Sequence, residues 1–294
     1  MTKPNLGFIG LGLMGQALTA HLTDCGYQVT GYDIDQAKVE QAAAHGVKPA
    51  ASSAEVTQAS DIVLMCVIST DAVEEAVFGA AGVAEGGAAG KVLVDHSTTI
   101  VANTKDMAAR LKAASGMGWV DAPVSGGPPA ARSGSLAIMA GGEDADIAEV
   151  TPVMEDISGG FTHFGPVGAG QVAKMVNQVL VLNNYAVLAE ALALAEAGGI
   201  DARKIPEALA SGHAGSNMLK NIFPRMIDRD FEPQGYARQI LKDFDMLHDL
   251  AKTLKSPTPM SSQATSLFRI LCSKGHQELD GISVLKLFDQ NETV

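Results

Sequence analysis

At 294 residues, with 47% hydrophobic and 18% charged side chains, the chain has the make-up of a globular protein of one large or two smaller domains. Its net charge of −12 argues against a basic face for nucleic acid or an anionic membrane. Cys25, Cys66 and Cys272 are odd in number and far apart. They suggest neither a disulfide framework nor a metal site, and read as small core residues of a reduced, intracellular protein.

The opening stretch, Leu6 to Asp33, is the most informative. Leu6, Phe8 and Ile9 form a short apolar strand. Gly10, Gly12 and Gly15 follow in the order G-x-G-x-x-G, and from Leu13 the spacing of Leu13, Ala17, Leu18 and Leu22 is helical. Gly26 ends the helix, and a second strand over 27–32 closes on Asp33. In such a unit the first glycine makes the tight turn, the second lets the backbone approach a pyrophosphate, and the third lets helix pack on strand. The helix start favours the phosphates. Asp33, 23 residues past Gly10, can accept hydrogen bonds from both ribose hydroxyls and repels a 2′-phosphate, which selects NAD. Asp35 is the rival acid, better suited to a solvated or helix-capping role. The strand begins so early that no signal peptide is expected. No apolar run reaches the roughly 18 residues of a membrane span, so the cytoplasm is the expected compartment.

Further along, helices are expected over 35–45, 70–78, 103–115 and 146–157, with Ser53 as a candidate cap for another. Strands are expected over 47–50, 61–67, 91–95, 119–121, 136–140 and 161–164, and a loop over 79–90. The alternation predicts an α/β fold with a parallel, Rossmann-type sheet over residues 1–165. Ligands of such sheets sit beyond the carboxyl ends of the strands, which singles out the loops after Gly10, Asp33, Val67, Asp95 and Asp121. Residues 166–294 read as all helical. They begin with a long helix over 172–197 that is apolar on most faces and therefore expected to be buried.

Three polar groupings stand out. Asp121-Ala-Pro-Val-Ser-Gly-Gly127 follows a strand, and Pro128 and Pro129 have no N–H to give. Its amides and the Ser125 hydroxyl suit a carboxylate, although an ordinary Gly/Pro turn explains the loop equally well. Lys174, Asn177 and Gln178 lie at i, i+3 and i+4 on one helix face, where a hydroxyacid would satisfy them. A snorkelling lysine at a helix end is the alternative. Lys242 and Asp243 lie in a helix expected over 236–254, whose apolar face is Ile240, Phe244, Leu247 and Ala251, which leaves Lys242 off the core stripe, as expected of a solvated face. The seven histidines show no ligand spacing, so no metal is indicated.

These segments together resemble the β-hydroxyacid dehydrogenase family, which includes 3-hydroxyisobutyrate dehydrogenase and tartronate semialdehyde reductase. The resemblance rests on GFIGLGLMG at 7–15, VDHSTT at 94–99, DAPVSGG at 121–127, GSLAIMAGG at 134–142, GPVGAGQVAKMVNQ at 165–178, LKDF at 241–244 and GHQELD at 275–280. AKMVNQVLV, HAGSNML and PRMIDRDFEP are closest to the tartronate semialdehyde reductases. The resemblance implies an NAD-dependent oxidoreductase acting on a small hydroxyacid, assembled as a homodimer or homotetramer. It implies that Lys174 is catalytic and that Ser125, Gly126 and Gly127 hold the substrate carboxylate. Asn177 and Gln178 would orient the substrate. Gly10, Leu11, Gly12, Leu13, Met14, Gly15 and Asp33 would bind the cofactor, lined by Val67, Ile68 and Thr98 and covered by Lys242. Three positions depart from the family pattern: Val67-Ile68 replaces leucine-proline, His96 replaces methionine or cysteine, and Gln178 replaces an asparagine common among members. Two alternatives to a hydroxyacid dehydrogenase are an imine reductase-like enzyme and a non-catalytic NAD-binding module.

Overall fold

The computed structural model describes residues 3–289. The chain divides into two compact units, Met1–Lys174 and Met175–Val294.

The first unit is built on six parallel strands: β1 (Leu6–Ile9), β2 (Val29–Tyr32), β3 (Lys48–Pro49), β4 (Ile62–Met65), β5 (Val92–Asp95) and β6 (Gly118–Asp121). Their order is β3-β2-β1-β4-β5-β6, the doubly wound arrangement. β1, β4, β5 and β6 are buried along their whole length, as strands covered on both faces must be. Ile9 lies opposite Tyr32 and Met65, Met65 opposite Asp95, and Asp95 opposite Asp121. The register therefore sets the carboxyl ends of five strands in one row. The chain reverses its winding between β1 and β4, and the crevice outside that switch point is where this architecture takes ligands.

Several local expectations need correction. Leu136–Ala140 and the strand after it do not extend the parallel sheet. Together with β7 (Val124–Ser125), β8 (Leu136–Ala140) and β9 (Ser158–His163) make a separate sheet in which β7 runs antiparallel to β8. Only Ala122 and Pro123 separate β6 from β7, too few for the helical crossover that a parallel neighbour needs. The 79–90 stretch holds a short helix, Val83–Gly86. Ser52, not Ser53, caps the helix Ser53–Gln58, through the amide of Glu55. Asp35 caps the helix Gln36–Ala43 by accepting the N–H of Ala37.

The second unit is helical. Its core gathers Phe223, Phe244, Phe268, Leu271, Ile282 and Leu285 with Leu182, Ala186, Ala189 and Leu192 of the long helix. Phe244 and Phe268 meet with ring centroids 5.7 Å apart, tilted. Residues 204–211 and 216–226 break into shorter pieces, Ile205–Ala208, Asn217–Asn221 and Phe223–Ile227, where prolines stand in the first turns of the first and third. The long helix spans Ala169–Ala197. It is not buried on all faces: Val176, Leu180, Val187 and Leu194 are exposed within this chain. By length and composition alone this helix could cross a membrane, although no unbroken apolar run within it reaches the length of a span. Lys174, Asn177, Gln178, Asn183 and Asn184 interrupt it, which suits a core helix of a globular unit.

Candidate active site

The Gly-rich turn is shaped by close contacts. Gly10 has φ +90°, and a Cβ there would lie 2.4 Å from the Cys66 carbonyl. A Cβ at Gly15 would lie 2.1 Å from the carbonyl of Gly10, so helix and strand touch there. Gly12 is different: a Cβ would meet nothing within 4 Å. It stands at the start of the helix Leu13–Asp24, which has no side-chain cap. An uncapped helix start beside an open glycine fits a pyrophosphate. Asp33 fixes the turn, accepting the Leu11 amide at 2.7 Å and the Asp35 amide at 2.9 Å. The Lys38 ammonium stands 3.8 Å from Asp33 and 3.7 Å from Asp35. Leu13 and Ile68 are exposed, and Ile34, directly after Asp33, is 94% exposed. Apolar side chains left in the open at the carboxyl rim suit the flat faces of an adenine, and Ile34 carried no signal in the sequence for that.

Beyond β4 and β5 the loops are tied together. The Ser97 hydroxyl accepts the Val67 amide at 2.9 Å, and Thr98 beside it is half-buried. His96 is buried, and its Nδ1 lies 2.7 Å from the Ala122 carbonyl. A carbonyl only accepts, so Nδ1 carries the proton and Nε2 presents a lone pair. Among the described residues Nε2 meets no hydrogen-bond partner. Burial pushes the His96 pKa down to about 4, against the opposing pull of the Ala122 carbonyl, so the ring is neutral. Asp95 is fully buried. Burial pushes its pKa up to about 7, opposed by hydrogen bonds from Ser97 and reinforced by the charge of Asp121. Asp121, also fully buried, is pushed up by burial to about 6 and held back by the amides of Gly168 and Gln171.

The loop after β6 carries Ser125, Gly126 and Gly127. Gly126 (φ +125°) and Gly127 (φ +68°) occupy backbone conformations that favour glycine, and a Cβ on Gly126 would lie 2.6 Å from that of Ala130. Ser125 is half-buried and pairs with Ala137 of β8. Lys174 is only 8% exposed, and its Nζ donates to the Val124 carbonyl at 2.8 Å. The lysine therefore reaches the residue directly before Ser125 rather than extending along the surface.

In the second unit the polar residues form a chain. Asn177 Nδ2 donates to Gln178 Oε1 at 2.9 Å, and Gln178 Nε2 donates to the Asp243 carboxylate. Lys242 Nζ lies 3.1 Å from the other oxygen of Asp243. A carboxylate only accepts, so Gln178 must turn its NH₂ toward Asp243 and its carbonyl toward Asn177. Lys242 is thus partly covered and ion-paired rather than on a fully solvated face, and the Asp243 side chain beside it is 14% exposed and hydrogen-bonded. The place of Asp243 beside Lys242 was the signal available in the sequence.

The first unit thus gathers the Gly-rich turn, Asp33, Val67, Ile68, Thr98, Ser125 to Gly127 and Lys174 on elements at the carboxyl rim. The second joins Asn177 and Gln178 to Lys242 through Asp243. Among the described residues no group of three or more His, Cys, Asp or Glu side chains could hold a metal ion.

Comparisons with known proteins agree along the whole chain. Residues 5–165 match the family model described as the NAD binding domain of 6-phosphogluconate dehydrogenase. Residues 168–288 match that described as NAD-binding of NADP-dependent 3-hydroxyisobutyrate dehydrogenase. The 2-hydroxy-3-oxopropionate reductase of Escherichia coli is 34% identical over 97% of this chain and 97% of its own. The NAD-dependent L-serine dehydrogenase of Pseudomonas aeruginosa is 32% identical over 98% of both chains. The crystal structure of 3-hydroxyisobutyrate dehydrogenase from Salmonella typhimurium superposes with a TM-score of 0.88 at 28% identity, covering 97% of this chain and all of that one. With a doubly wound sheet, a dinucleotide turn and a helical second unit all matched, the chain belongs to the β-hydroxyacid dehydrogenase family of NAD-binding oxidoreductases.

Proposed function

We propose that this enzyme interconverts a small β-hydroxyacid and its semialdehyde with NAD, using Lys174 as general acid and base. The observation that carries the reading is the 2.8 Å contact between Lys174 Nζ and the Val124 carbonyl, which sets a largely buried amine beside Ser125, Gly126 and Gly127. Those three residues hold the substrate carboxylate, and Asn177 and Gln178 orient the remainder. Gly10 to Gly15 take the pyrophosphate, Asp33 the ribose, and Val67, Ile68, Thr98 and Lys242 line the cofactor. The nicotinamide, when bound, supplies hydride exchange with the hydroxyl carbon. Lys174 takes the hydroxyl proton during oxidation and returns it to the carbonyl oxygen during reduction. Fixing the carboxylate decides which carbon faces the hydride acceptor, a positioning effect. In this reading residues 1–165 bind the cofactor, and 166–294 complete the substrate site and the oligomer.

The names of relatives narrow the substrate. 2-Hydroxy-3-oxopropionate and L-serine both carry a carboxylate with a hydroxyl or aldehyde on the β carbon. The retained Lys174 and the serine-glycine-glycine turn favour this chemistry over imine reduction. The exposed apolar side chains Val176, Leu180, Val187 and Leu194 recur along one helix and support a homodimer or homotetramer. The cytoplasm suits three cysteines, none of which is joined in a disulfide.

The test is a spectrophotometric panel of 3-hydroxyisobutyrate, glycerate, serine, threonate and 4-hydroxybutyrate with NAD, run in parallel with NADP. Turnover of at least one β-hydroxyacid, with NAD preferred, is expected. Tight NADH binding without turnover of any acid would leave only the binding module, and activity confined to cyclic imines would favour the imine reductase.

A further inference from the structure

Two rungs join the end of β6 to the start of the long helix. The Asp121 carboxylate accepts the amides of Gly168 at 2.6 Å and Gln171 at 2.9 Å. Three residues further along both segments, Lys174 Nζ reaches the Val124 carbonyl. Asp121 with Gln171 and Val124 with Lys174 are each 50 residues apart, so the rungs are in step. Glycines permit the approach. A Cβ on Gly170 would lie 2.4 Å from the Met139 carbonyl and 2.5 Å from that of Asp121, and one on Gly141 would lie 2.7 Å from Asp121 Oδ1. The Gln171 side chain adds a brace, donating to the Ser97 carbonyl at 2.8 Å and accepting the Thr99 amide at 3.1 Å. Leading amides of this helix, which would otherwise attract a bound anion, are taken up by a buried side chain of the protein itself.

We propose that Asp121 is a positioning residue of the reaction, acting through Lys174. It locks the first turn of the long helix to the strand end that leads into the substrate loop, so amine and loop share one rigid frame. This inference rests on Lys174 being the proton carrier, and a displacement of about 1 Å at such a group is enough to cost up to a hundredfold in rate.

The test uses the full chain saturated with NAD and compares Asp121→Asn, Lys174→Ala and the double variant. Asp121→Asn should lower kcat about tenfold or more while the NADH dissociation constant stays within about twofold. In the Lys174→Ala background the same substitution should cost less than about twofold, because its route of action is already gone. Losses that multiply would overturn the proposal. A second arm needs no turnover: amine acetylation read by mass spectrometry, well below the melting temperature. Labelling of Lys174 relative to Lys3 should rise several-fold in Asp121→Asn, and an unchanged ratio would overturn the proposal. If Asp121→Asn does not fold, Gly170→Ala pushes the same helix start away and faces the same two criteria. If no hydroxyacid is turned over by the wild-type enzyme, the proposed function fails, and the labelling arm still decides the frame.

Discussion

Lys174 donates its ammonium to the carbonyl of Val124 across 2.8 Å, one residue before the turn of Ser125, Gly126 and Gly127. Lys174→Ala should therefore abolish proton transfer without disturbing the dinucleotide turn. Turnover is expected to fall about a hundredfold or more while NADH binding persists. Steady-state kinetics with a fluorescence titration of NADH measures both, and near-normal turnover would remove Lys174 from the chemistry.

Gly12 and Gly15 should respond oppositely to alanine. A Cβ at Gly12 enters open space, so Gly12→Ala should keep its melting temperature and weaken NADH binding about tenfold or more. A Cβ at Gly15 would lie 2.1 Å from the Gly10 carbonyl, so Gly15→Ala should unfold at a distinctly lower temperature. Thermal melts and NADH titrations on the two variants separate the roles.

Asp243 sets the direction of the amide chain through Gln178 to Asn177. In Asp243→Asn the new amide can donate as well as accept, so Gln178 loses its fixed orientation. The KM for the hydroxyacid should rise about tenfold, the order expected for losing a hydrogen bond to a charged group. An unchanged hydroxyacid KM would detach the chain from substrate recognition.

Asp95 and His96 place opposite pH demands on the fold. Burial raises Asp95 to about 7, above its unfolded value, so its stabilising contribution is full at low pH and is lost as pH rises through 7. His96 is lowered to about 4, so its contribution is full above its unfolded value near 6.5 and is lost as pH falls toward 4. Asp95→Asn removes the first demand only. Relative to wild type, the variant should melt higher at pH 8 than it does at pH 5. Parallel melting curves at both pH ends would contradict this.

The dinucleotide unit was legible because its signals are local: a strand, three glycines at fixed offsets, a helix and a closing acid. Lys174, Asn177 and Gln178 were legible as one helical face. What the sequence concealed depends on contacts between distant segments. Asp121 appeared only as the first letter of a loop, and its partners Gly168 and Gln171 lie about fifty positions away. Asp243 carried no signal of its own, because helical periodicity says nothing of Gln178 as its partner. The antiparallel turn after β6 escaped because Leu136–Ala140 has the same apolar texture as the parallel strands. Ser52 and Ser53 are chemically equivalent as caps, and only the backbone of Ser52, extended at φ −160°, decides between them.

The two-residue link Ala122-Pro123 ties the serine-glycine-glycine turn to the last strand of the parallel sheet. Such a tether has no slack, and Pro123 stiffens it further. In the proposed reaction, the span from the acid group of the substrate to its reacting carbon is then built into the scaffold like the gap of a fixed gauge. Adaptation toward longer or shorter acids would have to come from side chains elsewhere around the substrate, because lengthening this link would uncouple the gripping turn from the ring it must face.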